Sequence, residues 1–211
     1  MNQRNVGILI FDDVEVLDFA GPFEVFSRTV RDDVMPKAQP AQGDPDMPFH
    51  VFTVAASAEP VLAIGGLRVV PDATFETAPP IDVLVVPGGY GTRPLLENEA
   101  VLAWVKQAAE TAGTVTSVCT GALLYARLGL LTGRAATTHW AALDLLASLD
   151  PTIRVDRERR WVDDGIITSA GVAAGIDMAL YVVETLCGEE TAARTARYIE
   201  LVRHAPDDRR F

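Results

Sequence analysis

The 211-residue chain is 49% hydrophobic and 22% charged, enough apolar mass to bury a core and too much for the chain to be disordered as a whole. Its 18 Lys and Arg stand against 29 Asp and Glu, and the net charge of -11 repels phosphate backbones and anionic lipid, which argues against nucleic-acid and membrane partners. The apolar runs fall well short of the roughly 18 residues a membrane span needs. The first of them ends in Asp12-Asp13 rather than at a small-residue cleavage site, so a cytoplasmic protein is expected.

Residues 6–11 (VGILIF) form a continuous apolar, β-branched run, the pattern of a strand buried on both faces of a parallel sheet. Gly21-Pro22 opens a helix with Phe23, Phe26 and Val30 at helical spacing, since proline is tolerated in a first turn. Residues 31–48 hold four prolines, several acids and few large apolar groups, and read as an exposed loop. A strand over 49–56 follows, then a small hairpin over 61–70 turned on Gly65-Gly66. Residues 82–86 form another buried strand ended by Pro87-Gly88-Gly89; a helix over 96–112, a strand over 114–118 and a helix from about Thr120 come next. Beyond these lie a helix over 140–149, a hairpin of 153–162 with 166–169 turned on Asp163-Asp164-Gly165, and helices over 173–186 and 190–202. Buried strands alternating with helices predict a doubly wound α/β sandwich with a mostly parallel sheet, one domain over 1–211 with a tail from 203.

In such sheets ligands bind beyond the carboxyl ends of the strands, where three loops carry the polar groups: 16–22, 87–91 and 117–122. Cys119 falls where a buried strand turns abruptly into a helix, the setting of a nucleophile elbow, and the helix N-terminus is expected to lower its pKa so that it needs no dedicated base. Cys187, late in a long helix, reads as a packing residue. Asp18, set among Leu17, Phe19 and Ala20, is a candidate proton donor and acceptor with a pKa raised by desolvation, helix capping being the alternative. Glu24 stands six residues on, as open to a structural role as to a functional one. Gly88 and Gly89 offer backbone N–H groups with no side chain in the way, and Thr120 N–H is a partner donor for an oxyanion hole. His139 is a candidate base for Cys119, with capping or packing as the commoner use of such a position. Two cysteines without a CxxC and three scattered histidines give no structural zinc spacing, and no dinucleotide or phosphate-loop motif fits residues 88–94.

LDFAGPFEVF (17–26), VVPGGYG (85–91), SVCTGALLYARLGLLTGRAATTHW (117–140) and ITSAGVAAGIDMAL (167–180) together resemble the ThiJ/PfpI superfamily, relatives of the class I glutamine amidotransferase and flavodoxin-like folds. Asp-x-x-Gly-Pro followed by Cys-Thr-Gly is most similar to the isonitrile hydratase branch and to the N-terminal domains of AraC-type regulators. That resemblance implies Cys119 as nucleophile, Asp18 as general acid and base, the Gly88, Gly89 and Thr120 amides as a polar cradle, a homodimer, and no metal or organic cofactor. Protease members of the superfamily carry His directly after the cysteine, and Thr120 here argues against a Cys-His hydrolase. The regulators continue into a helix-turn-helix domain, whereas this sequence ends at Phe211 after an Arg-rich tail, so DNA binding is not expected. The activity implied is hydration of an isonitrile to an N-formamide; a glyoxalase-like reaction on an α-oxoaldehyde, or a ligand or redox sensor using Cys119 without turnover, are the alternatives.

Overall fold

The computed structural model describes residues 3–31, 44 and 47–207, so most of the 31–48 loop and the end of the tail lie outside the described residues. The first strand, β1 (Arg4–Leu9), leads to helix α1 (Val16–Arg28), and β2 (Phe49–Ala55) lies parallel to β1 with Val6 opposite Val51. A hairpin, β3 (Val61–Leu62) and β4 (Arg68–Val69), turns through Gly65 and Gly66 at φ of 83° and 90°, backbone that favours glycine. A two-residue edge strand, β5 (Ala73–Thr74), precedes β6 (Val83–Val86), whose four residues are all buried. Then come α2 (Thr92–Leu95), α3 (Glu99–Thr111), β7 (Thr114–Val118) and α4 (Ala122–Arg127). The chain continues through β8 (Ala135–Ala136), α5 (Leu143–Leu149), β9 (Arg154–Val155), β10 (Trp161–Asp163), β11 (Ile167–Ser169), α6 (Ala174–Cys187) and α7 (Glu189–Tyr198).

Seven strands make the main sheet in the order β10-β11-β7-β6-β1-β2-β5, parallel except where β10 meets β11. Helices α1, α6 and α7 pack together as one group and α2 to α5 as another, with the sheet flanked by helices as the alternating pattern predicts. The core is the apolar interior of β1, β6 and β7 with Phe26, Leu123, Leu124 and Met178 closing on it. Among the described residues no helix is long and apolar enough to cross a membrane.

Four boundaries differ from the sequence reading, the first three for local reasons. Helix α1 begins at Val16, not at Gly21-Pro22, so Pro22 stands inside it. The bond Pro22 cannot make is outweighed by packing on α6, where Gly21 is needed: a Cβ there would meet Ile176 Cγ1 at 2.8 Å. Helix α3 starts at Glu99 because Asn98 caps it, its side chain accepting the Val101 N–H at 3.1 Å. The expected 153–162 strand is broken at Asp156, whose carboxylate accepts the Glu158 and Arg159 N–H groups; Arg154–Val155 pairs instead with β8, and only Trp161–Asp163 forms the hairpin arm with β11. The final helix ends at Tyr198, four residues early.

Candidate active site

The carboxyl end of β7 turns at Cys119, which sits at φ 54°, left-handed backbone that costs a non-glycine residue about 1–2 kcal/mol. The turn is held from both sides: Cys119 N–H donates to Ala170 O at 3.2 Å, and Thr138 Oγ1 donates to Cys119 O at 2.6 Å. Gly121 is required behind it, since a Cβ there would lie 2.0 Å from Val86 O on the neighbouring strand. The result is the sharp strand-to-helix elbow expected from the sequence, with Cys119 only 6% exposed.

Asp18, in the first turn of α1, is fully buried. Its Oδ2 accepts the Gly88 N–H at 2.9 Å, while Oδ1 has no partner at hydrogen-bond distance, although the Val172 N–H and the Cys119 thiol are near enough to favour its charged form. Burial dominates, and with a smaller push from the Glu15 carboxylate it raises the Asp18 carboxyl to about 7. The same burial, joined by the charge of Asp18, pushes the Cys119 thiol up to about 12 against the pull of the Thr120 N–H. The expected lowering by a helix N-terminus is therefore overturned. The physical reason is that α4 has only six residues, a short helix with a weak dipole, and Cys119 faces a carboxylate in a desolvated site. A thiol in this setting needs a base to react as a nucleophile, and the carboxyl beside it is that of Asp18.

Gly88 and Gly89 are spent differently from the sequence expectation. Gly88 N–H goes to Asp18, and Gly89 N–H goes to Thr120 Oγ1 at 3.0 Å, which also bonds Thr92 Oγ1 at 3.0 Å. Of the three amides expected as a cradle, only that of Thr120 bears on the sulfur. Gly88 nevertheless has to be glycine, because a Cβ would stand 2.4 Å from Thr120 N and 2.9 Å from Asp18 Oδ2. We expect Gly88→Ala to cost about 2–3 kcal/mol of stability, read by urea unfolding, by driving apart the two loops that carry Asp18 and Cys119. An unchanged midpoint would show that these loops yield freely.

A cleft of about 190 Å³ opens over Cys119, walled by Glu15, Tyr90, Arg93, Thr120, His139 and Val172. That is space for about six waters, suited to a small molecule. His139 reaches it, but its Nδ1 accepts the Ala141 N–H at 3.3 Å as a cap, and its ring lies against Gly171, where a Cβ would meet Cδ2 at 2.2 Å. The groups acting on the thiol are Asp18 and Thr120. Glu24 is exposed on α1, paired with Arg28 at 3.2 Å, and does not line the cleft. Cys187 packs, partly buried, at the end of α6. Among the described residues no group of three or more His, Cys, Asp or Glu is placed to hold a metal ion.

The model of the DJ-1/PfpI family matches residues 4–185. The chain belongs to the DJ-1/PfpI family. It is 38% identical to an isonitrile hydratase of Pseudomonas putida, over 96% of this chain and 81% of that protein. It is 26% identical to the HTH-type transcriptional regulator GbdR of Pseudomonas aeruginosa, over 99% of this chain but 54% of the regulator. A crystal structure of a ThiJ/PfpI family protein from Pseudomonas syringae superposes with a TM-score of 0.82 at 32% identity, covering 99% of this chain and 79% of that one.

Within this DJ-1/PfpI site the sequence reading missed Glu15, Arg93 and Val172. Val172 is a β-branched residue at φ 51°, an uncommon strain that turns its N–H toward Asp18. Its position just past the carboxyl end of β11 was the signal that could have found it. Glu15 and Arg93 are ordinary charged residues in sequence, and only the packing of their loops around Cys119 makes them neighbours.

Proposed function

We propose that the chain hydrates a small isonitrile to the N-formamide, with Cys119 as nucleophile and Asp18 as the group that moves the protons. The observation that carries this reading is the buried pair: a thiol at a strained elbow and, beside it, a carboxyl raised to about 7, able to take and give a proton near neutral pH. The 38% identity to an isonitrile hydratase over most of both chains supports the choice of substrate.

Ionised Asp18 takes the thiol proton as Sγ bonds to the terminal isonitrile carbon. It returns that proton to the same carbon, giving a thioimidate with no net loss of protons. A carbon bonded to Sγ is within reach of a carboxyl already acting on that sulfur. Asp18 then accepts a proton from an attacking water and passes it to nitrogen. Loss of the hydroxyl proton, closure of C=O and cleavage of C–S release the formamide and regenerate the thiol. The Thr120 N–H stabilises the sulfur when it carries charge, at the start and again at the end.

The pair must have lost one proton to begin, so kcat/KM is expected to rise about tenfold per pH unit below about 7 and to level off above it. A profile falling through that range would show that Asp18 has to start protonated. The primary test is formamide formation from a simple alkyl or aryl isonitrile by folded, reduced protein. Many turnovers per protein are expected. None, with stoichiometric peroxide-dependent mass gain at Cys119, would replace the hydratase by a redox sensor.

A further inference from the structure

We infer that Arg93 selects an anionic substrate, a small electrophile that carries a carboxylate besides the group that Cys119 attacks. For an isonitrile hydratase this means an isocyano carboxylate, and the inference rests to that extent on the reading above. Arg93 lines the cleft that Cys119 lines. Its guanidinium is fixed there: Nη1 donates to Gly89 O at 2.9 Å and to Thr92 Oγ1 at 3.2 Å, and the group lies 5.8 Å from the centre of the Tyr90 ring. All three partners are uncharged. Both hydrogen bonds come from Nη1, so the Nε–Nη2 edge, the fork that receives a carboxylate through two parallel bonds, is uncommitted among the described residues.

In a chain of net charge -11, carboxylates are plentiful, and arginines elsewhere use them: Arg160 pairs with Asp177 and Arg157 with Asp144, each at 2.6 Å. Arg93 instead stands at the site without an ion pair among the described residues, oriented by the same Gly89 carbonyl to which Thr92 and Thr120 are bonded. An arginine held in position before binding loses little freedom when an anion arrives. Ile64, Ala141 and Val172 supply apolar wall to the same cleft, suited to a short carbon body. Glu15 lines the same cleft, and its carboxylate opposes the binding of an anion there.

The experiment alkylates Cys119 with iodoacetate and, separately, iodoacetamide, two probes alike in size and differing in charge; Sγ displaces iodide from either. Peptide mass spectrometry reads the ratio of the two rates at Cys119, with Cys187 as the internal reference. Arg93→Gln is expected to lower the iodoacetate-to-iodoacetamide ratio at Cys119 fivefold or more and to leave the ratio at Cys187 alone. Arg93→Lys, which keeps the charge, should recover much of it, and Glu15→Gln should raise it. A ratio at Cys119 unmoved by Arg93→Gln overturns the inference, as does failure of both reagents to reach Cys119 in the folded protein. A parallel comparison of isocyanoacetate with its methyl ester keeps the two readings separate. Ester and acid both turned over with the same preference before and after Arg93→Gln would leave the hydratase standing and remove anion selection. No isonitrile turnover with the alkylation ratio still governed by Arg93 would do the reverse.

Discussion

Asp18→Asn is expected to abolish turnover, by about a thousandfold or more, and at the same time to make the protein more stable above neutral pH. The loss follows because an amide neither takes the thiol proton nor returns it, and a thiol pushed up to about 12 has no other buried base beside it. The gain follows from linkage. The carboxyl is raised from 3.8 to about 7 in the fold, so below 3.8 both folded and unfolded chains hold the proton and the fold suffers no penalty. Between those values the unfolded chain releases the proton while the folded one keeps it, and stability falls as pH rises; above about 7 the full penalty is in place. At about 1.4 kcal/mol per pKa unit the penalty is on the order of 4 kcal/mol. The amide accepts the Gly88 N–H as the carboxylate does, but leaves its own N–H groups short of acceptors, which returns about 1–2 kcal/mol. The net expectation is a variant about 2 kcal/mol more stable than the parent at pH 8 and no more stable at pH 4, read from paired urea titrations. Equal differences at the two pH values would mean that Asp18 is not held in its acid form by the fold.

Cys119→Ser is expected to lose turnover by about a thousandfold or more, with stability changed by no more than about 1 kcal/mol. A hydroxyl is a far weaker acid than a thiol, and a carboxylate balanced near pH 7 does not ionise it, so the first bond to the isonitrile carbon does not form. Serine is of similar size, and the elbow is fixed by main-chain and Thr138 bonds that the substitution leaves in place. Formamide production by this variant at a tenth of the parent rate would move the nucleophile elsewhere in the cleft. Together the two variants separate roles: both stop chemistry, and only the Asp18 variant changes how stability depends on pH.

Two relatives that this chain matches over nearly its whole length are a hydratase and a transcriptional regulator. Fold alone therefore decides nothing about turnover. In the mechanism proposed above, what distinguishes the possibilities is whether a proton passed from Cys119 to Asp18 is delivered to a substrate or simply returned.

The sequence by itself determined the layered architecture and pointed to the residues that meet in the candidate site. Buried β-branched runs at 6–11, 82–86 and 114–118 have no stable arrangement except side by side in a covered parallel sheet; the first ends in Asp12-Asp13, the second in a glycine turn and the third in a cysteine elbow. Cys119, Asp18, Gly88 and Thr120 were legible because short-range rules place them: strand, abrupt turn, helix start. Tertiary structure alone decided what those groups do to one another. That Asp18 sits in the first turn of a helix begun six residues ahead of Pro22 depended on α6 packing against Gly21. That Cys119 has a raised thiol depended on its burial beside that carboxylate, an effect of the surrounding medium that no local motif encodes. That Gly88 and Gly89 spend their N–H groups on Asp18 and Thr120, and that Arg93 stands at the cleft while Glu24 does not, are consequences of which loops meet in space. Backbone pattern is set by neighbours along the chain; charge, desolvation and reach are set by neighbours across it.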